Sequence, residues 1–241
     1  MTYCVGLQVN EGMVLLSDTR TNAGFDNIAS YKKMFVFEQP GERVIAIMAA
    51  GSLSITQATI ARLSEATVSE DASPETSILL APTILEAARI TGNMLARVRS
   101  EVDAKLAAVN QSAAASMIFA GQRRGGRMRM CLIYPEGNFI MATEDTPFLQ
   151  IGEHKYGKPI LDRIVRPDTS LEDARKAVLL SMDSTLRSNL SVGMPLDFAV
   201  IACDDYRLTE SRRIEPGDRD FRALSDAWSR ALRDSFRKMK V

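Results

Sequence analysis

The chain has 241 residues, 46% of them apolar, which is ample for a core in one large domain or two small ones. Its 30 basic and 30 acidic residues cancel, so no global charge draws it to nucleic acid or a membrane. No apolar run approaches the roughly 20 residues that span a bilayer, and the start lacks the basic region and apolar stretch of a secretory signal, so a cytoplasmic protein is expected.

The first element is a hairpin. A strand-like run, Tyr3 to Val9, meets a turn at Asn10-Glu11-Gly12, and a second apolar run, Met13 to Leu16, delivers Ser17-Asp18-Thr19-Arg20. Met1 precedes a small residue, Thr2, the context in which an initiator methionine is removed. Removal leaves the Thr2 hydroxyl beside its own free α-amine, so nucleophile and base share one residue. With a three-residue loop, Val9 pairs with Met13, Cys4 faces Asp18, and Thr2 faces Arg20. Thr2, Cys4 and Asp18 then share a face, with Asp18 diagonal to Thr2 and room between them for one lysine ammonium. Lys32 and Lys33 open the next apolar run, Met34–Phe37, and alternation alone does not say which of them faces Thr2.

A strand at Val44–Ala50 follows the Gln39–Glu42 turn. Gly51-Ser52 leads into helical spacing over Leu53–Leu63. After a polar interruption, Ser69–Glu75, a long helical stripe runs from Ile78 to Val109 through Leu80, Ile84, Ala87, Ala88, Met94, Leu95 and Val98. Strands are expected at Ala115–Gly121, Met128–Tyr134 and Phe139–Ala142. Ile160–Val165 fits either class. Ser170 with Glu172 and Asp173 marks a helix start that runs to about Ser188. Leu196–Cys203 and Arg207–Arg213 read as a final strand pair, and Asp218–Lys238 as a basic amphipathic helix with a solvated face. No repeat or linker divides residues 1–241, which are expected to form one domain.

Cys4, Cys131 and Cys203 sit in apolar runs and read as reduced core residues. There is no C-x-x-C pair, and His154 is the only histidine, which speaks against a metal centre and against a Ser-His-Asp triad. The long helices read as packing elements, not cofactor boxes.

Thr2 through Gly24, above all Asp18-Thr19-Arg20-Thr21-Asn22-Ala23-Gly24, resembles the start of a mature proteasome β-type subunit, an N-terminal-nucleophile hydrolase. Within that superfamily the likeness is to the bacterial Anbu, or ancestral β-subunit, branch. It is carried by Thr2–Gly6, Thr21–Gly24, Gly152-Glu153-His154-Lys155-Tyr156-Gly157-Lys158-Pro159 and Arg187–Gly193. The resemblance implies an α+β fold, a four-layer αββα sandwich of two antiparallel sheets flanked by helices. It also implies a threonine-type peptidase that needs no cofactor and assembles with copies of itself into a ring or spiral. Thr2 is then the nucleophile, Lys33 the catalytic lysine, Asp18 its holder, and main-chain groups at Ala50 and Gly51 the oxyanion donors. Ser191 matches the family's final supporting serine. Ser188 stands where the family has an aspartate and Glu153 where it has a serine-containing loop, which leaves the holding of the α-amine open. Arg20 and Thr21 could contact a peptide backbone, or Arg20 could be a structural ion-pair residue. Cys4 reads as packing beside the site. A small-amide hydrolase of the same fold and a structural ring subunit remain as alternatives.

Overall fold

The computed structural model describes residues 2–22, 28–107 and 113–240. Strands β1 (Tyr3–Val9) and β2 (Gly12–Asp18) open the chain, followed by a short pair, β3 (Arg20–Asn22) and β4 (Ile28–Ser30). Then come β5 (Met34–Gln39), β6 (Arg43–Gly51) and two helices, α1 (Leu53–Val68) and α2 (Ile84–Ala107). Next are β7 (Ala115–Arg123), β8 (Arg129–Ile133), β9 (Phe139–Met141) and β10 (Phe148–Gly152). Helices α3 (Lys158–Ile164) and α4 (Leu171–Ser188), strands β11 (Leu196–Ala202) and β12 (Glu210–Ile214), and helix α5 (Arg219–Lys238) complete the order.

Period-two alternation builds the layers. One antiparallel sheet has the order β10-β1-β2-β11-β12 and the other β5-β6-β7-β8-β9. On β1, Tyr3, Val5 and Leu7 point into a cluster with Leu161 of α3 and Ala174, Val178 and Met182 of α4. Cys4, on the opposite parity, joins Met13, Leu15, Met48 and Ile118 in the core shared by the two sheets. On β6, Ile45, Ile47 and Ala49 face Ile55 and Leu63 of α1 and Ala87, Ala88 and Leu95 of α2, while Val44, Ala46 and Met48 face the other sheet. Helix, sheet, sheet and helix are thus stacked in four layers, the α+β sandwich expected.

The register of the opening hairpin differs from expectation by one. Val9 pairs with Gly12 across a two-residue loop, so Cys4 opposes Ser17, and Asp18 has the parity of Tyr3 and Leu16 instead of Cys4. The cause is tertiary: a Cβ on Gly12 would sit 2.4 Å from the Ile201 carbonyl of β11. Gly12 is therefore a ladder residue where β11 passes closely, not the last residue of the turn. Helix α2 starts at Ile84, after Pro82, with Thr83 as its cap: Thr83 Oγ1 accepts from the Glu86 N–H at 3.0 Å. Leu80 lies outside the helix and is exposed; Val109, the expected end of that stripe, lies outside the described residues. Ile160–Val165 is mostly helix α3, and the last strand is shifted to Glu210–Ile214. Strand β10, not anticipated, pairs along β1 from Leu7–Phe148 to Tyr3–Gly152.

Candidate active site

Thr2 is half-buried at the entrance to β1, and its main chain is fixed on both sides. Tyr3 is fully buried, with its hydroxyl 2.6 Å from Ser181 Oγ of α4 and accepting from Gln150 Nε2 of β10 at 2.6 Å. Burial pushes the Tyr3 phenol up to about 12, although both hydrogen bonds oppose this. The Thr2 carbonyl accepts from the Glu153 N–H at 2.8 Å. Gly152 makes that approach possible: its φ is 82°, and a Cβ there would lie 1.9 Å from the Thr2 oxygen.

Asp18, at the end of β2, has no exposed surface. Its Oδ1 accepts from the Tyr3 N–H at 3.1 Å and from Lys33 Nζ at 2.7 Å, and its Oδ2 accepts from the Gly193 N–H at 3.3 Å. Burial raises the Asp18 carboxyl above its ordinary range, while the Lys33 ammonium and the two main-chain donors pull it back. Lys33 is 5% exposed and donates also to the Arg20 carbonyl at 2.6 Å. Lys32 is exposed, with its ammonium 6.0 Å from the Phe35 ring centroid. Burial thus separates two lysines that alternation left equivalent.

Among the described residues Arg20 makes no ion pair; it ties a distant loop to the end of β2. Its guanidinium packs on Gly193, where a Cβ would come within 2.2 Å of Arg20 Nε, and it donates to the Leu190 carbonyl at 2.9 Å. Thr19 Oγ1 donates to the Pro195 carbonyl at 2.7 Å. The end of β2 and the loop before β11 are therefore tied together around the Asp18 carboxylate. Gly193 and Gly152 are the positions that sequence reasoning did not single out; both lie inside the stretches that carried the resemblance.

A cavity of about 530 Å³ opens beside Thr2, lined by Thr21, Lys32, Lys33, Phe35, Ala49, Ala50, Gly51, Leu53, Thr56 and Gly152. Gly51 has φ 110°, and a Cβ there would lie 2.3 Å from the Ala114 carbonyl, so the bend after β6 requires glycine. The structure thus brings together Thr2, Lys33, Ala50 and Gly51 around one space, with Asp18 behind Lys33. Ser188 is exposed at the end of α4, and Ser191 is half-buried, its N–H bonded to Asn189 Oδ1 at 2.9 Å. Among the described residues neither serine side chain is hydrogen-bonded to this group. Glu153 reaches the site through its main chain; its Oε2 is buried, 3.8 Å from Lys155 Nζ. Cys4 is fully buried, with its thiol pushed up by burial and then by Asp18, the setting of a packing residue. His154 is exposed and its Nδ1 lies 3.1 Å from the Gly152 carbonyl.

A sandwich of two antiparallel sheets between helices, with the first strand opening on a cavity lined by the lysine of a buried Asp–Lys pair, defines a proteasome-type fold. Residues 2–201 match the family model described as proteasome subunit. The chain belongs to the proteasome subunit family, in its ancestral β-subunit (Anbu) branch. It is similar to Anbu from Hyphomicrobium sp. strain MC1, solved as a Gly-1 mutant: 48% identity, TM-score 0.93, covering 100% of this chain and 99% of that one. Anbu from Yersinia bercovieri is 37% identical with TM-score 0.91, covering 99% and 97% of the two chains. A structure described as the helical assembly of the Anbu complex from Pseudomonas aeruginosa is 42% identical with TM-score 0.92, again covering 99% and 97%. Comparison with curated proteins returned no match. No described helix is long and apolar enough to cross a membrane.

Proposed function

We propose that this chain is a threonine-type hydrolase of peptide bonds, active after removal of Met1 and assembled with copies of itself into a ring or spiral. Met1 lies outside the described residues. The observation that carries the reading is Lys33: a buried ammonium held by Asp18 and the Arg20 carbonyl, lining the same cavity as Thr2. A cation fixed in a low-dielectric wall lowers the cost of forming an alkoxide beside it.

The Thr2 hydroxyl passes its proton to the Thr2 α-amine, directly or through water, as Oγ bonds to the scissile carbonyl carbon. The carbonyl electron pair moves onto oxygen, where main-chain donors around Ala50 and Gly51 receive it. Collapse of this intermediate breaks the C–N bond, and the leaving amine takes the proton back from the α-ammonium. Water, deprotonated by the same amine, then hydrolyses the ester on Thr2. Asp18 keeps Lys33 in place throughout. Because the α-amine must be neutral to accept a proton, the rate should rise as pH passes its unperturbed pKa of about 7.7–8.0.

The test is intact mass after incubation with a threonine-directed epoxyketone. Protein beginning at Thr2 should gain one adduct, Thr2→Ala none, and Met1-bearing protein none. Equal labelling of the processed and Met1-bearing forms would show that the nucleophile lies elsewhere. A second reading, hydrolysis of small amides, is favoured by the cavity itself, whose volume of about 530 Å³ falls in the range that encloses a small ligand. Turnover of small amides but not of peptides by protein that labels at Thr2 would select it.

A further inference from the structure

The cavity beside Thr2 has neutral walls and one uncommitted charge. Phe35 and Leu53 are apolar, and Ala49 and Ala50 add only small side chains. Thr56, 6% exposed, donates its hydroxyl proton to the Leu53 carbonyl at 2.9 Å. Among the described residues no acidic side chain lines the space, but two lysines do. Lys33 is committed, its ammonium held by Asp18 and the Arg20 carbonyl. Lys32 is exposed, and its ammonium lies 6.0 Å from the centroid of the Phe35 ring, which borders the same cavity.

Among the described residues the Lys32 ammonium makes no ion pair or hydrogen bond. Lys32 also borders a separate cavity of about 220 Å³ that holds Asp197. That carboxylate leans to another cation, its Oδ1 lying 3.8 Å from Arg213 Nη1. An ammonium in the position of Lys32 is favourable only while water reaches it. A substrate that fills the cavity strips part of that water, at a cost in free energy. A neutral side chain leaves the cost standing, and a cationic one adds repulsion to it. A carboxylate offsets it with a charge-assisted hydrogen bond.

On the reading of Thr2 as the nucleophile, we propose that Lys32 selects substrates with an acidic side chain on the residue whose carbonyl Thr2 attacks. Thr2 and the main chain at Gly51 hold the scissile carbonyl, which leaves Phe35, Leu53 and Lys32 for the side chain beside it. The aliphatic part of glutamate packs on Phe35 and Leu53, and its carboxylate meets the Lys32 ammonium. The long lysine stem follows apolar surface while its head stays polar, so the charge can track a carboxylate on a stem of either length, glutamate or aspartate. Lys32 is a specificity residue here and takes no part in the chemistry at Thr2, where Lys33 acts.

Steady-state hydrolysis at low salt by protein beginning at Thr2 tests this with three peptides that differ only in the residue before the scissile bond: glutamate, glutamine or lysine. Values of kcat/KM should fall in that order, glutamate leading its neutral isostere by about fivefold, the effect of one partly exposed ion pair. Lys32→Ala should bring the glutamate and glutamine values together, and Lys32→Glu should reverse the order so that lysine leads. Thr2→Ala, which cannot cleave, reads the same preference as binding. The intact glutamate peptide should bind it more tightly than the glutamine peptide by the same factor, and adding Lys32→Ala should close the gap. A binding preference without turnover would remove the hydrolase reading and keep the selectivity. Turnover without the preference, or a preference that Lys32→Glu leaves unchanged, overturns the selectivity and keeps the hydrolase. Absence of both turnover and saturable binding overturns both.

Discussion

Lys33 and Lys32 are adjacent in sequence, yet only one carries a buried charge, so their removal should differ in kind. Lys33→Ala leaves Asp18 in the core without its cation, and breaking a buried pair from one side costs about 3–5 kcal/mol. Because burial already raises the Asp18 carboxyl, uptake of a proton limits that cost. Lys32→Ala, at an exposed position, should shift stability by no more than about 0.5 kcal/mol. Urea midpoints and epoxyketone labelling of the two variants check this: Lys33→Ala should lose both stability and the adduct, and loss of the adduct in Lys32→Ala instead would contradict the assignment. A second residue-scale prediction concerns alkaline pH. The Tyr3 phenol is pushed up to about 12 from 10.0, the Cys131 thiol to about 12 from 9.0, and the Cys4 thiol is raised as well, all by burial. Each group binds its proton more tightly in the folded chain than in the unfolded one. Their contribution is therefore complete below the unfolded values and is lost as pH climbs from 9.0 toward about 12. Each titrating group adds a slope of up to about −1.4 kcal/mol per pH unit. Tyr3→Phe should flatten the part of the profile above pH 10.0 and leave the part below it unchanged.

At the scale of elements, the site is held by the loop before β11 as well as by the strands that bear its side chains. The loop of residues 189–195 presents the Gly193 N–H to Asp18, and Arg20 lies against that glycine. Gly193→Ala should displace the guanidinium and loosen the loop. Misplacement of about 1 Å at a catalytic group can cost a hundredfold in rate, so labelling of Thr2 should slow while the core stays folded. Hydrogen exchange should rise across residues 189–195 and stay unchanged in β6 and β7; unchanged labelling would show that the clamp is not needed. Much of this architecture was legible in the sequence, because β1, β2, β6 and β7 are short apolar runs bounded by turns, buried on both faces, and α4 announces its start at Ser170, which accepts from the Asp173 N–H. What was not legible depended on distant partners. Gly12 looks like a turn residue until β11 is placed beside it. Strand β10 is five residues long, bounded by Pro147, and is defined by β1 more than by its own pattern. Alternation did not choose between Lys32 and Lys33; only the resemblance did, and the work of Arg20 needed a loop far along the chain.

At the scale of the whole molecule, family membership and the description of one similar structure as a helical assembly support a homo-oligomer of many subunits. Leu232, Phe236 and Met239 near the end of α5 are exposed apolar side chains that such an assembly could cover. Light scattering at micromolar concentration and neutral pH should report a particle many times the 26.6 kDa of one chain; a monomer or simple dimer would overturn that expectation. The link between Asp18 and Gly193 spans 175 residues, and β2 pairs with β11 directly. Closing so long a loop is slow relative to forming local hairpins. As the protein is synthesised, Thr2, the proposed nucleophile, emerges first, but the strand that completes its surroundings is almost the last to leave the ribosome. An unfinished chain therefore carries Thr2 without a set carboxylate behind Lys33, and under the proposed function the order of synthesis would delay reactivity until the fold is nearly whole.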